Sequence, residues 1–179
     1  MAYYVETIDI DFVIPAGNLD DAYTAMCELN AHEELKHGGI SLGVLNKDCV
    51  KPAGSASLAF SPSKYFSWLD WNYDETCLTA QEIFKELGFY TEVDEEGNLR
   101  ILAYDNKNNQ EELFLKACAP YVAEGSYIIW RGEDEKMWKY EFDGGTMVVK
   151  YPKTIWVLKE HLEEHQEEEQ QDILIVAMS

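Results

Sequence analysis

Positive charge is what this sequence has least of. Lysine and arginine number 14 against 34 aspartates and glutamates, for a formal net charge of -20 and a pI near 4.4. So few cations cannot neutralise a phosphate backbone, so direct binding of nucleic acid is not expected. Long apolar runs are missing too. No window approaches the roughly 18 consecutive apolar residues of a membrane span, and the opening MAYYVETIDIDF lacks the basic-then-apolar order of a signal peptide. A cytoplasmic protein that does not engage membranes is expected. The four cysteines, Cys27, Cys49, Cys77 and Cys118, show no CxxC spacing, and buried free thiols are the expectation.

Signatures of catalysis are equally scarce. There is no GxGxxG, P-loop, GxSxG or Cys/His pattern, and GGISLG at 38–43 lacks the Lys and Ser/Thr that would cradle phosphates. The stretch HEELKH sets His32 and His37 five apart, whereas one helical face needs three or four. His161 and His165 have helical spacing but stand among glutamates that explain them as a solvated face. Paired carboxylates are abundant only because carboxylates are abundant. A non-enzymatic protein without metal or cofactor is expected.

What is present is a folding chain. An apolar share of 46% with 13% aromatics lies well above the disordered regime. At 179 residues, roughly two thirds of the unfolded surface can be buried in one domain. VETIDIDFVI alternates, placing Ile8, Ile10, Phe12 and Ile14 on one face and Thr7, Asp9 and Asp11 on the other. Asn18 then caps a helix running toward Gly38 and Gly39. Residues 40–62 read as a long loop with one brief strand. YFSWLDW reads as a strand, and TAQE at 79–82 is a capping-box pattern opening a helix that Gly88 ends. FYTEV and NLRILAY form a hairpin over 94–97, and Asn108 or Asn109 caps a helix stopped by Pro120.

Strands over 126–131, 137–142 and 146–151 follow, joined by turns at Gly132-Glu133-Asp134-Glu135 and Asp143-Gly144-Gly145. In WKYEF, Trp138, Tyr140 and Phe142 share one face and Lys139 and Glu141 the other, so the aromatics are read as core. The order β-α-β-β-α-β plus extra strands predicts an α+β fold: an antiparallel sheet with helices on one face in a split βαβ, ferredoxin-like arrangement. One domain spans 1–179, with a strand-helix-loop segment at 1–62, a core at 63–152, and an acidic helix with an apolar tail at 153–179.

The runs EIFKELGF, NQEELFLKACAPYV and SYIIWRGEDEKMWKYEFDGG resemble the C-terminal half of poorly characterised proteins carried by phages, plasmids and integrated elements, including YubB-like proteins with a ferredoxin-like domain. The similarity covers roughly residues 65–151. It implies a fold and a mobile-element origin, and with that origin a place in the host-cell cytoplasm.

The acids suggest what such a protein would do. KTIWVLKEHLEEHQEEEQQ begins with Ile155, Trp156, Leu158 and Leu162 at near-helical spacing, then loses every apolar residue. DILIVAMS closes the chain with a strand-like apolar run, Ile173 to Met178, that must add to its own sheet or pair with another copy or a partner by strand addition. A domain of this length spans roughly 40 Å, over which duplex DNA carries about two dozen charges, a number of the same order as the net charge. The leading expectation is therefore a DNA mimic that binds and blocks a basic nucleic-acid enzyme of the host, of the anti-CRISPR or anti-restriction kind. Its expected binding acids are Glu133, Asp134, Glu135, Glu160, Glu163, Glu164, Glu167, Glu168, Glu169 and Asp172. Two alternatives stand beside it. One is a nucleotide binder in which Trp68, Trp71, Tyr73 or Trp130 stacks on a base, with Arg100 and Arg131 converging on a pocket. The other is a structural or regulatory homo-oligomer built through residues 173–178.

Overall fold

The computed structural model describes residues 3–39, 64–108 and 110–153. The loop expected over 40–62, the acidic stretch from 154 onward and the terminal apolar run lie outside the described residues.

The architecture is α+β, as the sequence predicts. Strand β1 (Tyr4–Ile14) leads into α1 (Leu19–Glu28). Two-residue strands β2 (Gly38–Gly39) and β3 (Lys64–Tyr65) pair with each other, and short helices α2 (Tyr73–Thr76) and α3 (Ala80–Glu86) follow. The hairpin β4 (Phe89–Val93) and β5 (Leu99–Lys107), helix α4 (Glu111–Cys118), then β6 (Tyr127–Gly132), β7 (Met137–Asp143) and β8 (Thr146–Lys150) complete the described chain. Six strands form one antiparallel sheet in the order β4-β5-β1-β6-β7-β8. The connection from β1 to β4 passes over β5, and the connection from β5 to β6 passes over β1. Each helical crossover thus skips one strand, the split βαβ pattern, and β7 and β8 extend the sheet beyond β6.

One sheet face is the core. Phe12, Ile14, Ile101, Tyr104, Ile128, Trp130 and Phe142 are almost wholly buried. Phe12 meets Phe84 of α3 edge-on at 6.0 Å and Phe142 at 5.1 Å, and Phe66 meets Phe114 of α4 at 5.1 Å. Such edge-to-face pairs add about 0.5–1.5 kcal/mol each beyond the area they bury. Tyr140 and Phe142 are buried, and Trp138 stacks on Trp130 with planes 8° apart, while Lys139 and Glu141 take the other face. Burial pushes the Tyr104 hydroxyl far above its ordinary range, and the Glu111 carboxylate, to which that hydroxyl donates, adds to the effect. That bond gives the buried Glu111 a hydrogen-bond partner inside the core.

Several local expectations are corrected. Ile8 does not join the core face: Thr7 lies opposite Trp130 and Asp9 opposite Ile129, so Ile8 is the extra residue of a β-bulge and is left 42% exposed. YFSWLDW is not a strand beyond its first residue, Tyr65. Phe66 and Leu69 turn inward, and Trp68 takes a left-handed backbone with φ 74° and faces solvent. Helix α1 stops at Glu28 and continues as isolated 3-10 turns, well short of Gly38. The Asn18 side chain makes no cap and donates instead to the Tyr121 carbonyl at 3.0 Å. Helix α4 starts after Gln110 rather than at Asn108. The capping box at 79–82 forms with one change of partner: Thr79 Oγ1 accepts from Glu82 N, but the Glu82 carboxylate accepts from Leu78 N at 2.6 Å.

Candidate protein-docking surface

Several acids of the sheet and its turns have a basic partner, while Asp9, Asp11, Glu92, Asp105 and Asp143 have none among the described residues. Glu6 takes Arg131 at 2.6 Å, and Glu141 lies between Lys139 at 2.9 Å and Lys150. Lys150 first and Lys139 second hold the Glu141 carboxyl below its usual range. At the β4–β5 turn, the Asn98 backbone N–H first, then its side-chain amide and Arg100, do the same for Asp94. Antiparallel pairing produces this neutralisation, because opposite residues on one face stand within reach of each other.

Of the expected acids of the β6–β7 turn, Asp134 and Glu135 have a basic partner and Glu133 has none among the described residues. Asp134 is bound by Lys136 at 2.6 Å and accepts from the Tyr3 hydroxyl, and Lys136 first, then Tyr3, hold its carboxyl down at about 2. Glu135, with φ 62°, lies 4.0 Å from Arg131. Glu133 is exposed and its backbone N–H closes the turn onto Tyr4. Glu160, Glu163, Glu164, Glu167, Glu168, Glu169 and Asp172 lie outside the described residues.

The helical layer differs. Helices α1, α2 and α3 together carry one basic residue, Lys85. Asp20, Asp21 and Glu28 on α1 have no basic partner among the described residues, nor do Asp70, Asp74 and Glu75 around α2, nor Glu82 and Glu86 on α3. These elements are contiguous. Asn30, just beyond α1, donates to Asp74 at 2.6 Å, and the Tyr23 hydroxyl donates to the Cys77 carbonyl at 2.8 Å. A depression of about 320 Å³ between α2 and α3 is lined by Asp70, Tyr73, Thr76, Cys77, Leu78, Glu82 and Glu86. Its negative field reaches Cys77, whose thiol is pushed up by burial first and by Glu86 and Glu82 next.

The aromatic quartet divides. Tyr73 and Trp130 are 1% and 2% exposed and cannot stack on a ligand: Tyr73 donates to the Met26 carbonyl at 2.8 Å, and Trp130 packs against Tyr104 and Trp138. Trp68 and Trp71 are about half exposed. Arg100 is held by Asp94 and Arg131 by Glu6, and the cleft beside Arg131 is also lined by Asp105, Glu133 and Glu135, which oppose a phosphate. Among the described residues no three His, Cys, Asp or Glu side chains gather as a metal site, and no helix is long and apolar enough to cross a membrane.

No family model, no curated protein and no solved structure matches this chain. The chemistry of the surface carries the functional argument.

The acids of the helical layer were missed by a reading that weighted dense runs of charge. One signal was available: Asp20, Asp21 and Glu28 fall on the polar face of a helix without a single lysine or arginine.

Proposed function

We propose that this protein is a non-enzymatic acidic inhibitor that docks its helical layer onto a basic, nucleic-acid-binding enzyme and keeps nucleic acid out of that enzyme's groove. The observation that carries this reading is the row of carboxylates on α1, α2 and α3, which carry a single base, Lys85, and form no ion pair among the described residues, whereas Glu6 and Glu141 of the sheet are paired. Uncompensated like charge costs stability through self-repulsion, and a basic partner relieves that repulsion and is steered in by the long-range field. The resemblance of residues 65–151 to mobile-element proteins supports a host defence enzyme, a CRISPR effector or restriction nuclease, as the target. The test is a binding panel of purified enzymes of these two kinds, with labelled DNA as competitor. A complex that weakens steeply as salt rises and is displaced by DNA supports the reading; a salt-insensitive complex, or none, rejects it.

A second reading, a small-ligand binder, draws on Trp68 and Trp71, which are about half exposed, with Lys107 Nζ 5.9 Å from the centre of the Trp68 ring. A thermal-shift screen against nucleotides separates it from the first.

A further inference from the structure

We infer that the acidic layer contains a dedicated anchor point: the cleft between the starts of α1 and α3 and the end of β4 receives one apolar side chain from a basic segment of the partner protein. This rests on the docking face proposed above and gives it an address.

The cleft has a volume of about 170 Å³, and Leu19, Tyr23, Leu78, Val93 and Leu99 supply its apolar lining. An apolar cavity of about 150 Å³ is large enough to take a benzene ring, so one phenylalanine- or leucine-sized group fits. Leu78 is 73% exposed and Val93 49%. Leucine at that exposure gains nothing in the monomer, and it stands where two surfaces meet, lining both this cleft and the acid-lined depression with Asp70, Glu82 and Glu86. Asp20 lies on the cleft's other side. An apolar pocket rimmed by charge of one sign matches an apolar residue flanked by lysine or arginine, the pattern in which a buried anchor supplies binding energy and the rim supplies register and rate.

The walls are held in place before any partner arrives. Glu82 accepts from Leu78 N at 2.6 Å, Thr79 accepts from Glu82 N at 3.2 Å, and the Tyr23 hydroxyl donates to the Cys77 carbonyl at 2.8 Å. Those bonds fix the 77–79 backbone between α1 and α3. A fixed pocket spares the ordering cost that a mobile loop would add on binding.

The experiment uses the full chain and two labelled peptides: a short lysine peptide with one central phenylalanine, and the same peptide with alanine at that position. Fluorescence anisotropy at about 0.15 M and about 0.5 M salt separates screened rim charge from buried anchor. The phenylalanine peptide is expected to bind about tenfold tighter, with the margin kept at the higher salt. Leu78→Asp is expected to erase the margin, and Glu86→Lys to weaken both peptides alike. Leu78 is exposed, so the variant should keep the wild-type circular dichroism spectrum; Val93→Asp serves as a second probe. Equal affinity for the two peptides, or a margin untouched by both variants, overturns the anchor while leaving the acidic face standing. Peptides that ignore Glu86→Lys and Asp70→Lys overturn the face itself. Removing residues 173–179 should change nothing; tighter peptide binding would mean the chain's own end occupies the cleft, and the inference fails.

Discussion

The two faces of this protein handle negative charge to different degrees. On the sheet, two acids stand beside a neighbouring strand's base, Glu6 of β1 by Arg131 of β6 and Glu141 of β7 by Lys150 of β8, while Asp9, Asp11, Glu92 and Asp105 have no such partner among the described residues. On the helical layer, acids from α1, α2 and α3 point to water with Lys85 the single base among them. The contrast teaches that net charge alone does not locate a binding face. A surface of paired charges presents little net field, whereas a smaller number of unanswered acids dominates the field around it.

Breaking the element the two faces share has the largest expected effect. Phe84 is fully buried on α3 and meets Phe12 of the sheet, so Phe84→Ala should cost about 3–5 kcal/mol in urea unfolding. Next comes the contrast itself. Reversing Asp70, Glu75 and Glu86 to lysine should weaken a basic partner by at least about tenfold while leaving the fold intact or slightly stabilised. Reversing Asp134 and Glu141, each already paired with lysine on the sheet side, should change binding little; equal losses from both sets would dissolve the distinction.

Thr79→Ala removes the cap of α3 and should cost about 1 kcal/mol in the same unfolding assay. Glu6→Gln should cost less, about 0.2–1 kcal/mol, because its Arg131 pair is only partly shielded from water. The smallest effect is a pH dependence. Asp134 is held at about 2, below the usual unfolded value near 3.9, so its contribution is complete above about pH 4 and is lost as pH falls toward 2. Asp134→Asn should flatten that part of the stability profile, and unfolding curves between pH 2 and about 5 for the two proteins check it.

Much of the fold could be read in advance because its signals are local. The strand period in β7, the TAQE cap of α3, Gly88 with φ 100° at its end and the Gly144-Gly145 turn each follow from a few neighbouring residues. The misreadings have one cause, contacts between residues distant in sequence. The bulge at Ile8 is set by pairing to β6, and the inward turn of Phe66 and Leu69 by a core assembled from α4 and α1. Asn18 gave up its cap for a carbonyl 103 residues away.

The candidate site was less legible still. A run such as Glu133-Asp134-Glu135 looks exposed and unpaired on paper, yet Lys136 and Tyr3 attend Asp134 and Arg131 attends Glu135. The unanswered acids of the helical layer are dispersed between positions 20 and 86 and form a surface only when α1, α2 and α3 lie side by side.

What the chain determined unaided was its α+β class, its turns, and an excess of acid far beyond its bases, since propensity, period and composition act over a few residues or none. Which acids are neutralised was decided by folding alone. Coulombic pairing needs charges within a few ångströms, and the partner of Glu6 stands 125 residues further along the chain.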